Sequence, residues 1–233
     1  MSDGQRVPTG VLLRGILRLG VFSIVLGVAL FLPAGDIRWV EGWLFLLVFL
    51  LLMAASIHYL WRTNPEIFVA RSKIHPGTKR WDKVVMVFLL LSFTAIFLGA
   101  GLDAGRFHWS NVPFWVLVLG YVLLCAGFFI SIWVYRVNKF AEPTVRIQTE
   151  RGQKVIDTGP YAIVRHPLYL GGVILFTGIP LALGSFWALI PTAVGTLVLV
   201  VRTVLEDRTL QEELEGYKEY AGRVRYRLIP GVW

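Results

Sequence analysis

Apolar residues in this chain gather in blocks about twenty long, set apart by short polar interruptions. A run of that length matches the thickness of a bilayer core, where only a helix satisfies its own backbone. Six blocks predict six helices, at about residues Val11 to Leu32, Trp39 to Leu60, Val84 to Leu102, Pro113 to Tyr135, Leu168 to Leu183 and Phe186 to Leu205. The fifth is short and turns at Gly184-Ser185 into the sixth. Short turns after the first, third and fifth predict three helical hairpins, and a polar amphipathic helix is expected beyond the sixth. The fold class is all-α, a polytopic membrane helical bundle of about six transmembrane helices with a cytoplasmic C-terminal helix. It forms one integral-membrane domain over residues 1–233, with four N-terminal helices in 1–135 and a C-terminal core in 136–233. The first block exceeds a signal-peptide core and lacks a small-x-small cleavage pattern before Asp36, so it is expected to be retained.

Composition agrees with this pattern: 56% of residues are hydrophobic and the mean hydropathy is +0.64, which excludes an ordinary soluble domain. The net charge of +8 would suit nucleic acid, but its placement says otherwise. Arg6, Arg14, Arg18, the cations of the 62–83 loop (among them Lys73), those of the 136–165 segment and those from Arg202 onward share one side of the hairpins. Only Arg38 and Arg106 fall on the other. By the positive-inside rule both termini and both long polar loops are expected in the cytoplasm, and no nucleic-acid partner is expected. Cys125 lies within an apolar block and is expected to pack there.

Two polar clusters carry candidate chemistry. Gly159-Pro160-Tyr161-Ala162-Ile163-Val164-Arg165-His166-Pro167-Leu168-Tyr169 places two cations between two prolines where a polar segment meets the fifth block. Pro167 suits a helix's first turn, and free amides at that start, beside Arg165 and His166, would receive an anionic group. An interface belt of His, Tyr and Arg is the plainer explanation, especially for Tyr161. In the second cluster, Arg202, Glu206, Leu210, Glu213, Tyr217 and Tyr220 fall within about 80° on one continuous helix, with Asp207 and Glu212 flanking them. Either Arg202 and Glu206 form an ion pair that ends the sixth span, or Glu206, with Asp207, points at a polar ligand. His58, His75 and His108 lack metal-ligand spacing, so no metal site is expected. No nucleotide-binding fingerprint of a soluble fold is present, and any cofactor must be held by the helices.

The pattern Gly-Pro-Tyr-x-x-x-Arg-His-Pro-x-Tyr, then Arg-x-x-x-Glu-Asp-x-x-Leu, then Gly-Tyr-x-x-Tyr and a closing Arg-x-Ile-Pro resembles the isoprenylcysteine carboxyl methyltransferase family. These integral-membrane enzymes use S-adenosyl-L-methionine and are related to phospholipid N-methyltransferases. The resemblance covers about Val145 to Trp233. It implies a methyltransferase core in which Tyr161, Arg165, His166, Pro167, Tyr169, Glu206 and Asp207 hold the cofactor from the cytoplasmic side. Asp207 stands where the family usually carries a second glutamate. A lipid-like or small hydrophobic acceptor would enter between helices, its acceptor atom a carboxylate, thiol or amine. Arg202 is the candidate catalytic residue, orienting or neutralising that acceptor, and the absence of an unpaired base favours an anionic one.

Two alternatives stand beside this reading. Membrane sterol reductases use NADPH and share an Arg-His-Pro-x-Tyr-like loop and a similar ending to Tyr226-Arg227-Leu228-Ile229-Pro230-Gly231. They follow the proline with Asn-Tyr-Phe-Gly, whereas this chain reads Leu168-Tyr169-Leu170-Gly171. The other is a non-enzymatic membrane protein, such as a scaffold or small transporter; a transporter would carry charged or broken helices nearer mid-membrane. Oligomeric state is left open, because Gly171-Gly172 would suit packing within a chain or between chains.

Overall fold

The computed structural model describes residues 9–71 and 76–233, so Arg6, Lys73 and His75 lie outside the described residues, as does the side chain of Arg14. The helices are α1 (Thr9–Ala34), α2 (Val40–Thr63), α3 (Pro65–Ala70), α4 (Arg80–Ala100), α5 (Phe114–Val137), α6 (Pro167–Ala182), α7 (Leu189–Glu213) and α8 (Tyr217–Arg223). The protein is an all-α polytopic membrane bundle. Among the described residues, five helical stretches are long and apolar enough to cross a membrane: Leu17–Ala34, Val40–Thr63, Arg80–Phe107, Phe114–Val137 and Leu189–Glu213. The predicted fifth block, α6, has only 16 residues, about 24 Å of helix against a hydrocarbon core of about 30 Å.

α6 lies unusually close to α5. A Cβ on Gly120 would stand 2.2 Å from the Ala182 nitrogen, and one on Gly178 would stand 2.8 Å from the Leu124 nitrogen. Gly127 and Gly171 repeat the arrangement one heptad away, with the Gly127 position 2.9 Å from the Gly171 carbonyl oxygen. Small residues at these four crossings let the two backbones touch, the principal source of helix association where lipid offers no hydrophobic drive. Gly171 therefore packs within the chain. Cys125 does not pack inside: it is exposed on the outer surface of α5, because the inward face of that helix is taken by Gly120, Leu124 and Gly127.

The third block runs further than its hydropathy predicted. A π-helical stretch, Gly101–Phe107, continues α4 and ends at His108 in the left-handed region (φ 50°). Gly101 and Gly105 press against Leu30 and Ala34 of α1. The wholly buried Asp103 accepts bonds from the Ser110 amide (2.8 Å) and hydroxyl (2.6 Å), the Ser185 hydroxyl (2.6 Å) and the Trp187 amide (3.2 Å). One carboxylate thus ties the turn after α4 to the turn after α6, at the end of the bundle remote from the polar clusters. The core between lies around Leu30, Phe45, Phe49, Phe97, Leu124, Ile179 and Leu183.

At the other end, residues 64–71 are docked. Ile67 of α3 is fully buried with Leu60, Val134 and Ala141, and Arg71 bonds the Ala141 carbonyl (2.9 Å) and covers the Tyr135 ring.

A candidate cofactor cleft

α7 continues straight from the membrane span to Glu213, then stops. Leu214 is extended and Gly216 takes φ 78°, so that α8 doubles back. A continuous helical stripe from Arg202 to Tyr220 is therefore not formed. Tyr217 and Tyr220 reach the same place by way of this turn and are buried, while Glu213 leaves the stripe to pair with Lys79 (2.6 Å). A glycine is needed at 216 because a side chain resists positive φ.

The two polar clusters meet on Asp207. It is fully buried, at the inner side of α7. Its Oδ1 accepts from the Tyr217 hydroxyl (3.0 Å) and lies 3.2 Å from His166 Nε2; its Oδ2 accepts from Arg165 Nη2 (3.1 Å), Gln211 Nε2 (2.9 Å) and Arg227 Nε (3.0 Å). Arg165 Nε also lies 2.9 Å from Oδ1 as an ion-pair contact, though not aligned as a hydrogen bond. Five side chains from three parts of the chain thus consume one carboxylate. Charge-assisted bonds of this kind are about twice as strong as neutral ones. Burial, with the Asp207 charge alongside, pushes the Tyr217 phenol far above its ordinary range, so it stays a donor.

The stretch 159–169 is held by the C-terminal tail. The Arg165 amide donates to the Tyr226 carbonyl and the His166 amide to the Arg227 carbonyl, both at 2.9 Å. Of the helix-start amides, that of His166 is consequently not free for an anion. The Trp233 carbonyl accepts from the amides of Arg227, Leu228 and Ile229, closing the tail on itself. Arg165 Nη1 reaches the Ala221 and Val224 carbonyls at 3.2 Å and so caps the end of α8. The Tyr220 hydroxyl donates to the Tyr161 carbonyl (2.8 Å), and Asn138 Nδ2 donates to the Tyr161 hydroxyl (2.7 Å). Pro167 opens α6, as its fixed φ suits.

Glu206 differs from its neighbour. It is half-buried, faces a cleft, and among the described residues accepts one hydrogen bond, from the Tyr169 hydroxyl. The cleft is partly open to solvent, and Tyr161, Arg165, His166, Tyr169, Glu206 and Tyr217 line one wall. The facing wall is the 139–156 segment, which contributes Phe140, Glu142, Arg146, Gln148 and Lys154. Glu142 grips Arg146 with two bonds, 2.8 and 2.9 Å, and Gln148 Nε2 donates to the Phe140 carbonyl (2.7 Å). Sequence reasoning passed over this wall. The one available signal was an acid and a base four residues apart around Pro143, in a stretch that forms no helix.

Of the sequence-predicted residues, Tyr161, Arg165, His166, Tyr169 and Glu206 line the cleft together, while Asp207, Pro167 and Arg202 stand behind it. Arg202 pairs neither with Glu206 nor with open space. Its Nε lies 2.9 Å from Asp82 Oδ1, its Nη2 bonds Asp82 Oδ2 (3.2 Å) and the Pro143 carbonyl (2.7 Å), and its guanidinium covers the Tyr169 ring at 5.2 Å. Asp82 was also missed, for it stands in the chain's other half, 120 residues away.

Comparison with known proteins finds similarity over part of the chain. The chain is 34% identical over 90 residues to a Delta(14)-sterol reductase of Mus musculus, covering 37% of this chain and 22% of that protein. It is 36% identical over 87 residues to a probable 7-dehydrocholesterol reductase of Acanthamoeba polyphaga mimivirus, covering 36% of this chain and 19% of that protein. The chain thus spans about a fifth of the length of these curated relatives. A family model, that of the phospholipid methyltransferases, matches residues 115–215, from the start of α5 to the turn after α7, and the chain is similar to that family over the stretch that carries Tyr161, Arg165, His166, Tyr169 and Glu206.

Proposed function

We propose that this protein is a membrane methyltransferase that uses S-adenosyl-L-methionine to modify a lipid-like or small hydrophobic acceptor at the cytoplasmic face. The observation that carries the reading is the contrast between Glu206 and Asp207: one carboxylate is spent on holding the fold, and the next is turned into the cleft with a single tyrosine for a partner. The similarity of residues 115–215 to phospholipid methyltransferases supports the same assignment.

The residues present fit this cofactor. It supplies an electrophilic methyl group on a sulfonium, and it carries an ammonium and ribose hydroxyls that a carboxylate binds, together with a carboxylate of its own. Glu206 takes the cationic or hydroxyl part, and Arg165, which shares Asp207 with Arg227, gives the wall a positive side. Tyr161 and Tyr169 set the width of the cleft. Asp207 acts through Arg165 and His166, fixing their position rather than touching the ligand, and Pro167 fixes the start of α6. Arg202, the residue expected to be catalytic, stands behind the Tyr169 ring and acts as a positioning residue. Because Asp82 neutralises it, Arg202 brings no uncompensated charge, so its effect is to hold Tyr169 rather than to bind an anionic acceptor. Methyl transfer is an in-line displacement, and positioning with exclusion of water supplies most of its acceleration. The excess of cations at this end of the bundle supports a cytoplasmic orientation.

The identities with sterol reductases support a second reading, an NADPH-dependent membrane reductase. A carboxylate in the cleft repels a phosphorylated nucleotide, and Glu206 therefore favours the sulfonium. Binding to detergent-purified protein separates the two: S-adenosylhomocysteine binds and NADPH does not if the protein is a methyltransferase, and the reverse defeats it. Mass spectrometry of native lipids and small thiols after incubation with isotope-labelled S-adenosyl-L-methionine identifies the acceptor.

A further inference from the structure

Asp82 opens the first turn of α4 and is fully buried, although it belongs to the half of the chain outside the region matched to methyltransferases. A buried carboxylate is retained against a large desolvation cost, so what it holds is informative. It holds two things. Its oxygens take the Arg202 guanidinium, and Oδ2 also accepts the Val145 amide at 2.7 Å. Val145 lines the cleft. The contact is reinforced on each side: the Lys79 amide donates to the Val145 carbonyl (3.0 Å), the Thr78 hydroxyl bonds that of Thr144 (3.1 Å), and Arg202 reaches over to the Pro143 carbonyl. Arg202 in turn covers the ring of Tyr169, whose hydroxyl donates to Glu206.

We propose that Asp82 is the positioning residue for both walls of the cleft, fixing the 143–145 backbone directly and the Tyr169–Glu206 pair through Arg202. The geometry needs a carboxylate. Its two oxygens serve a guanidinium and a backbone amide at once, which no neutral side chain of that size does with two acceptors. The assignment of a cofactor to this cleft rests on the reading above; the fixing of its walls does not.

The test uses full-length protein in detergent, with two variants that both remove the acceptor for Val145. Asp82→Ala strands Arg202 and is expected to lower the melting temperature. Asp82→Leu/Arg202→Met replaces the whole pair by apolar groups, a change that buried ion pairs commonly tolerate, and keeps the fold if the single variant loses it. Hydrogen exchange is read by mass spectrometry on peptides covering 140–150, and S-adenosylhomocysteine affinity by calorimetry. The expected result is exchange at least 10-fold faster at 144–146 in whichever variants fold, with the α5–α6 core unchanged, and affinity at least 10-fold weaker even in a double variant that melts like the wild type. A double variant that melts normally, exchanges normally and binds normally overturns the proposal. If wild-type protein does not bind the probe, the methyltransferase reading fails, while the exchange measurement still decides whether Asp82 fixes the wall.

Discussion

The Tyr169 hydroxyl donates a hydrogen bond to Glu206, joining the first turn of α6 to the last third of α7 across 37 residues of chain. The contact leaves most of the Glu206 carboxylate turned toward the cleft. One residue further on, Asp207 points the other way and meets Arg165, His166, Gln211, Tyr217 and Arg227. Two adjacent acids therefore divide ligand binding from architecture, and substitution separates them.

Glu206→Gln keeps size and removes charge. A hydrogen bond to a charged group contributes about 1.5–3 kcal/mol, so S-adenosylhomocysteine affinity is expected to fall by about 10- to 100-fold with an unchanged melting temperature. Calorimetry and a thermal melt on the same preparation check this, and unaltered affinity would remove Glu206 from the site. His166→Ala is expected to weaken binding as well.

Asp207→Ala leaves Arg165 and Arg227 buried or half-buried without their counter-charge. Breaking such a buried network costs about 3–5 kcal/mol. The expected outcome is a large loss of melting temperature and detachment of the tail from the 159–169 stretch, seen as new protease sensitivity after Val224. A stable Asp207→Ala protein with only a binding defect would reverse the division of labour drawn here.

Gly120→Val puts a branched side chain where even a Cβ meets the Ala182 backbone. Overpacking costs about 1–3 kcal/mol in ordinary cores, and backbone cannot yield as a side chain does. The variant is expected to separate α5 from α6 and to lose both thermal stability and the cleft. Gly222→Ala, where a Cβ meets nothing within 4 Å, serves as the control and is expected to change neither.

Alkaline pH should destabilise the fold through its tyrosines. Burial raises the phenols of Tyr161, Tyr217 and Tyr220 above the ordinary value of 10.0. In the pH range above 10 the unfolded chain loses these protons while the folded one keeps them, so unfolding is increasingly favoured. The melting temperature is expected to hold until about pH 10 and then to drop. Tyr217→Phe, which lacks the proton, should flatten the drop while costing about 1 kcal/mol at neutral pH for the lost bond to Asp207.

Orientation is checked by labelling. In a Cys125→Ala background, Asn111→Cys and Arg225→Cys mark opposite ends of the bundle, and both positions are exposed. An impermeant maleimide added to intact cells is expected to modify position 111 and spare position 225. The opposite result would place the cleft outside the cytoplasm.

Much of this architecture was legible from the order of residues alone. Blocks of about twenty apolar residues can be nothing but helices in lipid, because the backbone must bond to itself there. Cation placement and the prolines around Arg165-His166 marked one end of the bundle as the polar one. The grouping of Tyr161, Arg165, His166, Tyr169 and Glu206 followed from spacing and resemblance. What spacing misjudged was what each group faces. The stripe Arg202 to Tyr220 breaks at Gly216, where a positive φ turns the chain, and Tyr217 arrives from another direction. The amides of Arg165 and His166 are taken by carbonyls of the tail. Arg202 meets Asp82 and not Glu206, a partner 120 residues distant that no local periodicity reveals. Helices are local in their bonding and so can be read along the chain. The pairing of buried charges is decided by which helices pack together, and in this bundle that depends on the glycines that bring α5 and α6 into contact and on the packing of α4 against α7.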